Sequence, residues 1–247
     1  MIEIKDLHKH FGKQHVLRGV NLSIPKGKIT VIIGPSGCGK SVLLRHMIGL
    51  MQPDRGEVVV DGVKINQLER GELNDFRKRF GMLFQHAALF DSLSVADNIA
   101  FPLVEHSHER DAAFIDARVR ETLELVGLTG AAEKMPSELS GGMAKRVGLA
   151  RAIALKPQII LYDEPTTGLD PIMTENIDNL ILSMQGALKT TSVVISHDIP
   201  STLRIADQIA MLHQGKIIAS GDPETFQRST DPVVQEFLSI AFKKKGA

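Results

Sequence analysis

The chain has 247 residues, and its 29 basic and 29 acidic side chains give a formal net charge of zero. A neutral balance provides no bulk attraction to nucleic acid, and a chain with no tryptophan and one tyrosine has few rings on which bases can stack. The single cysteine excludes an intramolecular disulfide, and no apolar run approaches the roughly 18 residues needed to span a bilayer. We therefore expect a soluble protein that reaches a membrane only through a partner.

The beginning of the chain has strand patterns separated by glycine. Residues 2–7 and 16–24 are predicted strands, broken by Gly12 and Gly19, and residues 56–61 are a third strand that ends in an Asp-Gly turn. These short strands with local turns predict an antiparallel β portion.

A glycine-rich loop lies between those strands. It follows the β-branched run 29–33 and leads into a helical pattern over 41–48, and its sequence fits the phosphate-cradling pattern G-x-x-x-x-G-K-S/T. Glycines let backbone N–H groups converge on phosphate, while the following helix directs its positive end at the same place. The sequence therefore predicts a nucleoside triphosphate site. Its residues are Gly34, Pro35, Ser36, Gly37, Cys38, Gly39, Lys40 and Ser41.

Three side chains of this loop have distinct expected roles. Lys40 is expected to reach the β- and γ-phosphate oxygens, and the Ser41 hydroxyl to bind Mg²⁺. Cys38 precedes the helix, a position that is expected to lower the pKa of its thiol.

The middle of the chain changes to helical periodicity, which is clearest over residues 113–126. We interpret residues 92–154 as a helical subdomain inserted into an α/β core of residues 1–91 and 155–240, with a basic tail at 241–247. A His-x-His pair at residues 106 and 108 lacks further ligands at metal-binding spacing, so we do not interpret it as a metal site.

Two apolar strands return after the helical segment. Residues 159–162 and 192–195 are almost wholly apolar, as expected for parallel strands that are buried on both faces. Residues 209–212 and 216–219 are predicted to form a hairpin around Gly215. The expected fold class is thus α/β, with a parallel sheet behind the glycine-rich loop.

Polar side chains follow both apolar strands. Asp163 and Glu164 lie at the end of the first strand, which Pro165 prevents from continuing. His197 follows the second strand. The ends of parallel strands are where an open α/β sheet presents groups to a ligand. A solvated strand end or helix cap is the alternative for the acidic pair, and a structural role is the alternative for the histidine.

A second glycine loop, Ser140-Gly141-Gly142, precedes a helical pattern. A small hydroxyl, two glycines and a helix start repeat the anion-binding logic of the first loop. A helix C-terminus is the alternative, but Glu138 and Ser140 before an amphipathic run are typical of a helix start.

The two glycine loops together with the Asp-Glu pair resemble the ATP-binding-cassette (ABC) ATPases from about Ile2 to about Gly221. The resemblance implies the P-loop NTPase core of this fold, with its inserted helical subdomain and N-terminal antiparallel β portion. It also implies that Asp163 holds Mg²⁺ through water, that Glu164 is the general base, and that His197 contacts the γ-phosphate and the attacking water.

The same resemblance assigns four further features. Gln85 senses Mg²⁺ and the attacking water, and Phe11 stacks on adenine, with a buried core phenylalanine as the alternative. Residues 168–170 form a loop that crosses to a partner copy, and Ser140-Gly141-Gly142 face the γ-phosphate held by that copy. The active form implied is a homodimer that encloses ATP and Mg²⁺.

Three segments narrow the resemblance to the ATPases of Mla/Mce-type phospholipid transporters, namely residues 86–103, 135–139 and 143–146. This implies that the ATPase lies at the cytoplasmic face of a bacterial inner membrane. Its implied partners are permease subunits, a periplasmic Mce-domain protein and a STAS-domain protein. An ATPase of an amino-acid or other small-solute importer is the alternative. A DNA- or ribosome-associated ABC protein is disfavoured by the neutral charge, and a P-loop kinase by the second glycine loop.

Overall fold

The computed structural model describes residues 2–106 and 111–243. The second histidine of the His-x-His pair and residues 244–247 of the basic tail lie outside the described residues. The strands in chain order are β1 (Ile2–Phe11), β2 (Gln14–Ile24), β3 (Ile29–Ile33), β4 (Arg55–Val60), β5 (Val63–Lys64), β6 (Phe80–Leu83), β7 (Ile159–Asp163), β8 (Thr191–Ile195), β9 (Gln208–His213) and β10 (Lys216–Gly221). The α-helices are α1 (Lys40–Met47), α2 (Arg70–Arg77), α3 (Val95–His106), α4 (Ala112–Leu125), α5 (Gly141–Ile153), α6 (Pro171–Leu188), α7 (Ile199–Ile205), α8 (Pro223–Gln227) and α9 (Pro232–Lys243).

The described residues form two compact units. The first unit comprises the chain up to Arg77 and again from Thr191, and the second unit is Lys78–Thr190. No helix among the described residues combines the length and the apolar character that crossing a membrane requires.

The first unit contains the predicted antiparallel portion, with strand order β2-β1-β4-β5. Ile2 of β1 lies opposite both Ile24 of β2 and Val60 of β4, and all three side chains are fully buried. The prediction that Gly19 breaks the second strand was wrong. Gly19 has a φ of +82° but stays within β2, because the register between β1 and β2 shifts beside it and absorbs the irregular backbone.

The first unit also contains four strands in the order β10-β9-β3-β8. Strand β3 runs parallel to both neighbours, with Ile32 opposite Ile195 of β8 and Ala210 of β9. Every residue of β3 and β8 is buried, as predicted for parallel strands covered on both faces. Strands β9 and β10 form the predicted antiparallel hairpin, whose turn contains Gly215 at a φ of +79°.

The second unit packs helices against the parallel pair β6 and β7. Helix α5 packs on α3, α4, α6 and β6. Its approach to β6 is so close that a Cβ on Gly81 would lie 2.3 Å from the carbonyl oxygen of Ala152, so only glycine fits there. Parallel strands, an antiparallel portion and packed helices together confirm the predicted α/β class.

Candidate nucleotide site

The glycine-rich loop leaves the buried strand β3 with a backbone that glycine alone adopts readily. Gly34, Gly37 and Gly39 have φ values of +150°, +76° and +108°. Gly34 has no room for a side chain, since a Cβ would lie 2.1 Å from the carbonyl oxygen of Leu212. Residues 35–37 of the loop are exposed, so this face of the loop is accessible to a ligand.

Lys40 begins α1 and lies over this loop. Only 5% of the residue is exposed, and its Nζ donates hydrogen bonds to the carbonyl oxygens of Gly34 (2.8 Å) and Pro35 (3.0 Å). Gly39, at the N-cap of α1, provides no side-chain cap, and Ser41 is half-buried one residue into the helix. A helix start without a side-chain cap beside a buried ammonium is suited to phosphate oxygens, which accept stronger hydrogen bonds from a cation than neutral carbonyls do.

Cys38 differs from its sequence-based expectation. Burial raises the pKa of its thiol, and the nearby positive charge of Lys40 opposes this only in part. The expected lowering was wrong because loss of hydration outweighs the helix start at this half-buried position.

His197 leaves the same sheet edge as the loop. It follows β8, the parallel neighbour of β3, and parallel strands present their carboxyl ends together. Asp198 fixes the turn by donating its N–H to Ser196 Oγ (3.0 Å) and accepting from the N–H of Ser201 (3.0 Å) at the start of α7. The imidazole of His197 is exposed at this edge rather than packed in the core.

Phe11 ends β1 with 46% of the residue exposed, which excludes the alternative of a buried core phenylalanine. Lys9 places its Nζ 5.9 Å from the centroid of the ring. Strand β2, which pairs with β1, carries Val16 and Leu17 close to Gly39. A Cβ added to Gly39 would lie 3.0 Å from the side chain of each. The loop therefore packs against β2, the strand that pairs with the one ending at Phe11, and it follows β3, the parallel neighbour of the strand before His197.

The second unit brings Gln85 to the acidic pair. Gln85 follows β6, Asp163 ends β7, and these strands are parallel neighbours. The Nε2 of Gln85 lies 3.5 Å from Oε2 of Glu164, at the outer limit of a hydrogen bond. Oxygen donors at this edge are the type of ligand that Mg²⁺ prefers.

Glu164 has an unusual backbone for a residue with a side chain. Its φ is +49°, in the left-handed region, and its carboxylate Oε2 accepts a hydrogen bond of 2.9 Å from Oγ1 of Thr167. The Nζ of Lys145 donates to the carbonyl oxygens of Thr167 (2.9 Å) and Glu164 (3.4 Å). The carboxylate is therefore fixed from its side chain and from its backbone.

Sequence reasoning missed Lys145 and Thr167. Neither residue has a diagnostic spacing, and they meet only because α5 packs beside the turn after β7. The one signal available was a lysine at a position in α5 that helical periodicity places among buried neighbours, where an unpaired charge is costly.

The second glycine loop begins a helix, which decides between the two interpretations of it. Ser140 is the N-cap of α5 and its Oγ accepts a hydrogen bond from the N–H of Met143 (3.3 Å). Ser140 and Gly141 are exposed, while Gly142 is buried against Met173 of α6. The second unit thus places Gln85, Asp163 and Glu164 at one sheet edge and the exposed loop at the start of the helix that carries Lys145.

The comparisons with known proteins agree with these features. The family model described as "ABC transporter" matches residues 17–167, which is more than half of the chain. The chain is 48% identical over 238 residues to the "intermembrane phospholipid transport system ATP-binding protein MlaF" of Haemophilus influenzae, covering 96% of this chain and 90% of that protein. It is 46% identical to the MlaF of Escherichia coli strain K12, covering 96% of this chain and 88% of that one.

Two further proteins show the breadth of the similarity. The "probable ribonucleotide transport ATP-binding protein mkl" of Mycobacterium leprae is 43% identical, covering 96% of this chain and 68% of that protein. The ATP-binding cassette MJ0796, solved as a dimer in a post-hydrolysis state bound to ADP and Pi, matches with a TM-score of 0.83 and 33% identity, covering 90% of this chain and 99% of that one. The chain belongs to the ABC transporter family, as one of its ATP-hydrolysing cassette subunits.

Proposed function

We propose that this ATPase drives the movement of phospholipid between the inner and outer membranes of a bacterium. The observation that carries the proposal is 46–48% identity, over 96% of this chain, to ATP-binding proteins named for intermembrane phospholipid transport. The cassette itself contributes hydrolysis, and the transported molecule is selected by the membrane partner.

Nucleotide binding is assigned to the first unit. Phe11 stacks its exposed ring on adenine, and the N–H groups of Gly34 and of residues 36–39 bind phosphate oxygens. Lys40 exchanges its two carbonyl partners for the β- and γ-phosphates. His197 contacts the γ-phosphate and the attacking water from the adjoining strand end.

Hydrolysis is assigned to Glu164, to the residues that bind Mg²⁺ and to the groups that hold the attacking water. When bound, ATP supplies the phosphate bond to be cut. Mg²⁺ supplies positive charge that balances the negative charge of the phosphates. Ser41, Asp163 and Gln85 provide the oxygen ligands toward Mg²⁺, directly or through water. Glu164 accepts a proton from the attacking water, with its carboxylate aimed by Thr167.

The active form is a homodimer. Residues Ser140, Gly141 and Gly142 of one copy face the γ-phosphate held by the glycine-rich loop of the other, so that two sites form across a two-fold interface. The exposure of Ser140 and Gly141 and the dimeric form of MJ0796 support this arrangement.

The partners follow from the transport assignment. We propose that the dimer lies at the cytoplasmic face of the inner membrane, in one complex with a pair of permease subunits, a STAS-domain protein and, on the other side of the membrane, a periplasmic Mce-domain protein. The genes beside this one test the proposal directly. Genes for a permease and an Mce-domain protein are expected, and a solute-binding lipoprotein in their place would support a small-solute importer instead.

Reconstitution tests the transported molecule. The chain is purified with its neighbouring permease, inserted into vesicles that contain a fluorescent phospholipid, and supplied with ATP. We expect ATP-dependent phospholipid movement that is lost in the Glu164→Gln variant. ATP-dependent uptake of a radiolabelled ribonucleotide or amino acid, without lipid movement, would contradict the phospholipid assignment and leave the ATPase assignment intact.

A further inference from the structure

Lys145 is a buried cation whose partners are backbone carbonyls. It lies in the second turn of α5, and only 6% of the residue is exposed. Burial lowers the pKa of its ammonium, while the charge of Glu164 acts in the opposite direction. A lysine that loses hydration in this way is stabilised only where it gains specific hydrogen bonds.

Those hydrogen bonds fall at the two ends of one short turn. The Nζ of Lys145 lies 3.4 Å from the carbonyl oxygen of Glu164 and 2.9 Å from that of Thr167. Within the turn, the N–H of Thr167 donates to the carbonyl of Glu164 (3.3 Å), and its Oγ1 donates to the carboxylate (2.9 Å). One ammonium therefore ties both ends of the segment that carries the acid.

Glu164 needs such a restraint more than an ordinary residue does. Its φ of +49° is in the left-handed region, which costs a residue with a Cβ about 1–2 kcal/mol relative to the right-handed one. Such a backbone persists only where its surroundings fix it. The cation at the Glu164 carbonyl provides that stabilisation from outside the turn.

We propose that Lys145 is a positioning residue for hydrolysis, which holds the turn of Glu164 in its left-handed conformation and links it to α5, the helix capped by Ser140. The inference rests on the proposed role of Glu164 as the base. The Oγ of Ser140 caps the same helix by accepting a hydrogen bond from the N–H of Met143.

The first test replaces Lys145 by methionine, which is similar in length and has no donor. We expect the ATPase kcat to fall about 10- to 100-fold, because a displacement of about 1 Å in a reacting group costs that much, while KM for ATP stays within about twofold. Lys145→Arg keeps the charge and the donors and is expected to restore most of kcat. Lys145→Gln, which is shorter and neutral, is expected to fall between the two and serves if the methionine variant does not fold.

Arg146→Met is the matched control. Arg146 is the next residue of α5, and its Nη1 donates to the carbonyl oxygen of Val126 (3.1 Å), away from Glu164. We expect its kcat to stay within about twofold of wild type. An equal loss in both methionine variants, or a wild-type kcat in Lys145→Met, would overturn the proposal.

A double-mutant cycle separates positioning from general destabilisation. If Lys145 acts through Glu164, then Lys145→Met is expected to cause no further loss of single-turnover hydrolysis in a Glu164→Gln protein. The same fold-loss in both backgrounds would overturn the inference. Wild-type turnover in Glu164→Gln alone would instead overturn the role of Glu164, and the two failures are thus distinguishable.

Discussion

The glycine-rich loop of the first unit and the Glu164 turn of the second each contain an irregular backbone that a buried lysine contacts. In each, a lysine about 5% exposed donates hydrogen bonds to two backbone carbonyl oxygens of a segment with positive φ. The lysine is Lys40 in the loop and Lys145 in the turn. A buried ammonium thus contacts the irregular backbone in both segments.

The two regions differ in which residue adopts the left-handed backbone. In the loop these residues are glycines, so a ligand can approach the bare N–H groups at little conformational cost. In the turn it is Glu164, whose carboxylate is the proposed base. In the proposed roles, Lys40 exchanges its carbonyl partners for phosphate, whereas Lys145 keeps its carbonyl partners throughout.

The largest expected effect is on the turn. Glu164→Gln keeps the size of the side chain and an oxygen that can accept from Thr167, but removes the base. We expect ATP binding to persist and turnover to fall about 10²- to 10⁴-fold, the usual worth of a positioned general base. ATPase assays and nucleotide titration measure the two quantities, and size-exclusion chromatography with ATP and Mg²⁺ should show dimers accumulating.

A control for this change is Glu133→Gln, an exposed acid of the second unit. Its turnover should match wild type within about twofold. Wild-type turnover in Glu164→Gln would show that Glu164 is not the general base. The proposed difference in role between the loop and the turn would then be wrong.

The next effect is on the loop. Lys40→Ala should weaken ATP binding about 10- to 100-fold, because hydrogen bonds from a cation to phosphate are each worth roughly 1.5–3 kcal/mol. Lys145→Met should leave binding unchanged, so titration of both variants sharpens the distinction between exchangeable and permanent partners. Lys28→Ala, which removes an ion pair with Asp207 in the same unit, is the control. Equal affinity in wild type and Lys40→Ala would exclude a phosphate role for Lys40.

The smallest effect tests the aim of the carboxylate alone. Thr167→Val preserves shape but removes the hydroxyl that binds Glu164, and we expect kcat to fall about 3- to 10-fold with KM unchanged. Thr166→Val, at the adjacent half-buried position, should stay near wild type in steady-state assays. An unchanged or raised kcat in Thr167→Val would show that this hydrogen bond does not prepare the base.

The sequence predicted the strands and loops that local patterns determine. The run before Gly34, the apolar strand before Asp163 and the hairpin around Gly215 all lie where periodicity and turn residues indicate. The roles of Glu164, His197 and Gln85 came from resemblance, and they stay predictions that the variants above test.

What the sequence did not predict depends on contacts between distant residues. Lys145 and Thr167 meet because α5 packs beside the turn, and no local pattern encodes that meeting. The pKa direction of Cys38 required its burial, and the continuity of β2 through Gly19 required the shifted register of β1. Tertiary packing determines these properties, and local sequence patterns do not specify tertiary packing.

The central claim is that the two glycine loops of different copies enclose one nucleotide, and a mixed dimer tests it most directly. One subunit carries Lys40→Ala and the other Ser140→Arg, both in the Glu164→Gln background, and trapped ATP is counted per dimer. If Lys40 of each copy works with Ser140 of the other, both defects fall on one site, and the account predicts about one trapped ATP, against about two for the Glu164→Gln dimer. If the loops instead serve one site within each chain, every site carries a defect, and a mixed dimer that traps no ATP would contradict the account.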